Sequence, residues 1–156
     1  MIHEGRLFDQ PLPELLVKLR RGKATVLVEV GATLANPSVS ITLESGLIQS
    51  VTTDGAESAS LADALKALQA VDASTLKLAL LRQEQMSSLT LDQVLTEMGG
   101  INPKALAKAR ERQIQEDLQT AMSKMDKLRR FRITQAAPVG RLGVEPAKIM
   151  AMLILE

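Results

Sequence analysis

The chain has 156 residues, and its 19 basic and 18 acidic side chains leave a formal charge of +1. It has no cysteine, which excludes disulfides and thiolate metal sites. Hydrophobic residues make up 46% of it and aromatic ones only 1%, so any core is built of Leu, Val, Ile, Ala and Met. The near-neutral charge argues against a broad electrostatic footprint for nucleic acid.

Residues 1–10 read as a lead-in strand with Leu7 and Phe8 as its apolar members. Leu12, Leu15, Leu16 and Leu19 fall at i, i+3, i+4 and i+7, one face of a short helix that begins near Pro13 and ends before Gly22. Val26, Val28 and Val30 mark a strand over 24–30, and Asn36-Pro37 a turn. Val39, Ile41 and Leu43 alternate with polar residues, Ser45-Gly46 is a tight turn, and 47–53 returns, so 38–53 reads as a hairpin. Ser60 caps a helix carrying Leu61, Ala64, Leu65, Leu68 and Val71. Over 75–82, Leu76, Leu78 and Leu80 alternate with Lys77 and Ala79; a strand is expected, with a helix as the alternative. The stretch 63–83 can be laid over 116–135 as a repeated helix, turn and strand, with chance similarity of two Leu-rich stretches as the competing explanation.

The clearest local signals lie in 90–134. Thr90 and Gln93 are spaced for a capping box, with Leu89 and Val94 as a hydrophobic staple. Gly99 and Gly100 end that helix. Asn102 and Pro103 start a second one, with Ile101 and Leu106 as its staple. Its apolar positions run to about Met125, a length of roughly 30 Å. Phe131 and Ile133 then alternate with Arg130, Arg132 and Thr134 as a strand. A loop over 135–143 leads to a final apolar helix over 146–155, which needs a surface to cover it. The chain closes on LILE without a stop signal such as a Gly or a polar tail, so one part of a longer protein is an expectation.

Few residues suggest chemistry. His3 is the single histidine and stands near a terminus without partners to make it a base or a metal ligand. No phosphate-loop, dinucleotide, nucleophile-elbow or zincin motif occurs, and Gly140-Arg141-Leu142-Gly143 is loop punctuation. Glu111, Glu116 and Asp117 sit among basic neighbours and read as a solvated, salt-bridged helix face. The basic cluster Lys124, Lys127, Arg129, Arg130 and Arg132 is a solvated rim, a contact for an acidic protein, or a phosphate contact. Only Phe131 lies near enough to stack a base there, and its place in the strand makes it a core residue. The methionines gather late in the chain and read first as core filling in an aromatic-poor sequence; the alternative is an adaptable apolar surface, with Met150 and Met152 on the last helix. The candidate interaction surface is therefore this basic cluster together with Met150 and Met152. No catalytic, cofactor or metal residue is assigned.

Gly5-Arg6-Leu7, the Leu-rich helix LPELLVKL at 12–19, the basic turn 20–23, the strand 26–30 and the run into Ser45-Gly46-Leu47-Ile48 resemble the PATAN domain family. The segment LDQVLTEMGGINPKALAKARERQ at 91–113 is similar to that family's extended form, and to a segment in the N-terminal domains of pilus and type II secretion ATPases. The resemblance implies a non-enzymatic protein–protein adaptor in bacterial signalling. Its implied partners are response regulators, small Ras-like GTPases or regulators of pili and motility. It implies no ligand-binding residues.

The expectation is an α+β fold: an antiparallel sheet of about four to six strands with an N-terminal helix and a C-terminal helical segment whose strand rejoins the sheet. One composite domain over 1–156 is expected, strand-rich over 1–83 and helix-rich over 84–156. Nucleic-acid association through 124–132 is the alternative function, and homo-oligomerisation a further option. No apolar run of about 18 residues or signal-peptide core is seen, so a cytoplasmic protein without membrane insertion is expected.

Overall fold

The computed structural model describes residues 3–57, 59–86, 88–99, 101–138 and 143–149. Their contacts group into two units, one of 1–58 with 114–156 and one of 59–113.

The first unit is built on a five-stranded antiparallel sheet, with β1 His3–Arg6, β2 Val26–Gly31, β3 Val39–Glu44, β4 Leu47–Thr53 and β5 Arg130–Gln135 in the spatial order β1-β5-β2-β3-β4. Period-two patterning explains it. Val28, Val30, Val39, Ile41, Phe131 and Ile133 are all buried. Register sets Phe131, Val30 and Val39 in one cross-strand row, and Ile133, Val28 and Ile41 in the next. The strand from 130–135 is thus internal to the sheet, between β1 and β2. Helix α1, Leu12–Arg21, adds Leu12, Leu15 and Leu16 to this core, and Ile114, Leu118 and Ala121 join it. Ser45 and Gly46 both have positive φ, which matches the twist a two-residue hairpin needs between β3 and β4. A bulge after Thr42 lets β4 carry Gln49 as an extra residue, and Ile48 also bridges to Val144.

The second unit is helical. Helix α2 is Leu61–Ala67, α3 Ala73–Gln85 and α4 Leu91–Met98; α5, Pro103–Met122, begins in this unit and continues into the first. Its core is Leu61, Leu65, Leu76, Ala79, Val94, Leu95, Leu106 and Ala109 with their neighbours. The caps fall where the sequence places them. The Ser60 hydroxyl accepts from the Asp63 N–H at 3.2 Å. The Gln93 side chain accepts from the Thr90 N–H at 2.9 Å, and Asn102 Oδ1 from the Lys104 N–H at 2.8 Å. Gly99 closes α4 in the left-handed conformation, and Leu89 and Ile101 pack on the same core as their staple partners.

Three expectations are corrected. Residues 75–82 are helical, not a strand. Asp72 caps α3 by accepting from the Thr75 N–H at 2.7 Å, and burial follows i, i+3 (Leu76, Ala79) rather than i, i+2. The proposed repeat of 63–83 in 116–135 therefore fails, because its second limb is a strand and its first is not. The lead-in strand ends at Arg6; Leu7 is buried in the turn that follows, and Phe8 is 91% exposed. Smaller shifts also occur: α2 stops at Ala67, leaving Leu68 exposed and Val71 outside the helix, and α5 stops at Met122 ahead of a 3₁₀ turn, Met125–Lys127. Of the expected final helix only 146–149 lies within the described residues, and it is helical.

Candidate interaction surface

The basic cluster does not act as one block. The Lys124 ammonium donates to the Asp54 carbonyl at 3.2 Å. Arg132 stands opposite Glu29 in the β2–β5 register and donates to it through Nη2 at 3.0 Å and Nε at 3.2 Å. Lys127, Arg129 and Arg130 are exposed, and among the described residues their side chains have no hydrogen-bonding or ionic partner.

Arg129 and Arg130 line a groove of about 600 Å³ that the first unit forms by itself. Backbone pairing assembles it from three places. The Leu7 N–H donates to the Arg129 carbonyl at 2.8 Å, and the Arg129 N–H to the Gly31 carbonyl at 2.9 Å. The end of β1, the start of β5 and the exit from β2 are thereby held together. Leu7 and Leu128 are buried walls, Met125 is half-buried, and Phe8 stands exposed at the side. Arg6 is directly across the ladder from Arg130. Like charges placed opposite each other on a sheet are unfavourable. Arg6 is partly neutralised by Asp9, at 3.1 Å on an exposed surface; Arg130 has no such counter-ion among the described residues. The groove is apolar inside, basic on its rim and carries a free aromatic ring.

Phe131, the aromatic nearest the cluster in sequence, is buried as the core strand residue expected and offers no face for stacking. Phe8 takes that position instead. Phe8 belongs to the strand expected over 1–10, and the Asp9-Gln10-Pro11 run after it is the local sign of a turn there. Met150 and Met152 lie outside the described residues. His3 is exposed, with its ring 5.7 Å from that of Phe131. Among the described residues no group of three or more His, Asp or Glu could hold a metal. Asp117 is buried, Glu111 half-buried and Glu116 exposed, so the acidic trio is not one solvated face. Each of the three has a partner. Asp72 has its carboxyl held below the usual carboxylate range, chiefly by the Thr75 backbone N–H and then by the Thr75 side chain. That marks a helix cap and not a reactive acid. No helix among the described residues is long and apolar enough to cross a membrane.

These features define an α+β protein with a basic-rimmed apolar groove at one corner of an antiparallel sheet. No family model matches the chain, and no curated protein or solved structure is significantly similar to it.

Proposed function

We propose that this chain is a non-enzymatic protein–protein adaptor of the PATAN kind, whose groove at Arg6, Phe8, Arg129 and Arg130 receives an acidic, partly apolar segment of a bacterial signalling or motility partner. The observation that carries the proposal is the placement of Arg130 opposite Arg6, with no counter-ion for Arg130 among the described residues, beside an almost wholly exposed phenylalanine. Both features cost a free protein something, through charge repulsion and hydrated apolar surface, and an acidic apolar ligand relieves both. Arginine also suits carboxylates, because its fork can donate two parallel hydrogen bonds.

The second reading, single-stranded nucleic acid, is favoured by the same Phe8, since an exposed ring beside cations is a stacking platform. One pair of titrations separates the two. Labelled peptides combining Asp or Glu with Leu or Phe are compared with a labelled oligothymidylate, by fluorescence anisotropy. The adaptor reading expects peptide binding that falls about tenfold or more in Phe8→Ala and in the double variant Arg129→Ala with Arg130→Ala. Binding of the oligonucleotide alone, weakened by the same variants, would replace the first reading with the second. Peptide binding indifferent to both variants would dismiss this groove.

A further inference from the structure

Helix α3 is apolar on two sides. Leu76 and Ala79 are in the core of the second unit. Roughly 120° further round the helix, given 3.6 residues per turn, lies another stripe: Lys77, Leu80, Leu81 and Glu84, at i, i+3, i+4 and i+7. All four line one open groove of about 580 Å³ within that unit. Leu80 is 36% exposed, Leu81 48% and the adjacent Leu78 59%. A cluster of exposed leucines on one helix is what a partner helix covers.

The charges at its two ends indicate which partner. Lys77 and Glu84 are seven residues apart, roughly 10 Å along the axis, too far to pair with each other. Among the described residues neither has an ion-pair partner. If a second α3 lies antiparallel, with a two-fold axis passing between Leu80 and Leu81, each residue faces the one whose number completes the same sum. Leu80 then meets Leu81 of the other copy, and Lys77 meets Glu84 of the other copy, twice over. A parallel arrangement would instead set Lys77 against Lys77 and Glu84 against Glu84. The stripe is thus complementary to itself in one orientation and repulsive in the other, which is the requirement for an isologous interface.

We propose that the Lys77–Leu80–Leu81–Glu84 stripe of α3 is a homodimerisation surface, with two copies pairing antiparallel through it. The proposal is independent of the adaptor reading, which concerns a groove in the other unit. A single helix face belongs to the small end of interface sizes, so association in the micromolar range is expected.

Charge exchange tests it on the whole chain. Sedimentation equilibrium across micromolar to sub-millimolar concentrations should show a reversible dimer. Lys77→Glu alone, or Glu84→Lys alone, turns two attractions into two repulsions and should weaken the dimer about tenfold or more. The double variant Lys77→Glu with Glu84→Lys rebuilds the pattern with its signs reversed and should restore it. The two single variants, mixed, should prefer each other to themselves. Both positions are exposed, and far-ultraviolet circular dichroism checks that each variant is folded. A wild-type chain that stays monomeric throughout, as it would if a different protein covers this face, overturns the proposal. So does a dimer indifferent to all of these exchanges.

Discussion

A methyl group added at Gly5 would have nowhere to go. Its Cβ would lie 2.6 Å from Cζ and 2.8 Å from Cε1 of Phe131, its cross-strand neighbour, whose ring is buried and cannot swing aside. Gly5→Ala is therefore expected to lower stability by about 1–3 kcal/mol, the usual cost of overpacking, in urea denaturation. An unchanged midpoint would mean that the β1 edge of the sheet gives way easily. Gly46→Ala should cost more. At φ +79° an added Cβ would lie 2.4 Å from Arg20 Cα and 2.9 Å from the Leu19 carbonyl oxygen, and backbone atoms yield less readily than a side-chain tip. Asp72 contributes a pH dependence. Its lowered carboxyl pKa means that the ionised form stabilises the fold above the unfolded value of about 3.9, and that this contribution is lost as pH falls through the lower folded value. Asp72→Asn should then be less thermostable than the parent at neutral pH, with the gap closing in acid; a gap constant with pH would show that the charge does nothing there.

At the scale of elements, α3 shows where local pattern stops being informative. Leu76, Leu78 and Leu80 satisfy a strand's alternation, and only their burial separates them: Leu76 is in the core, and the other two are exposed. Because α3 is apolar on two faces, its helical period is blurred. The deciding sign was the cap, Asp72 with Thr75, which alternation does not register. Substitution resolves the same point. Leu76→Ala should cost about 2–5 kcal/mol and Leu78→Ala no more than about 0.5 kcal/mol in chemical denaturation, whereas equivalent strand positions would suffer alike. The hairpin of β3 and β4, α1, and the caps of α2, α4 and α5 were legible because each carries its own punctuation: Ser45-Gly46, Gly22, Ser60, Thr90 with Gln93, and Asn102-Pro103. The groove was not legible, because Phe8, Leu128 and Arg130 are brought together by strand pairing between distant parts of the chain, and no local spacing encodes that register.

At the scale of the whole molecule, the +1 net charge limits what electrostatics can contribute. Screening at physiological salt acts over about 8 Å, so a polyanion would sense the local rim and little else. Two of the five cations in the basic cluster are already engaged, Lys124 with the Asp54 carbonyl and Arg132 with Glu29. Lys127, Arg129 and Arg130, which have no side-chain partner among the described residues, remain for an incoming anion. If single-stranded nucleic acid binds there, each neutralised phosphate contributes a slope of about −0.7 to the logarithm of affinity against the logarithm of salt, so three contacts set a slope of about −2. Replacing Arg129 and Arg130 by Ala should bring it to about −0.7. A much steeper slope, or one that the double substitution leaves alone, would place the phosphate contacts on another face. An acidic peptide held partly by Phe8 behaves differently: its apolar share of the affinity persists at high salt, where the electrostatic share is screened away. The salt titration thus separates the two ligand classes even where their affinities at one salt concentration coincide.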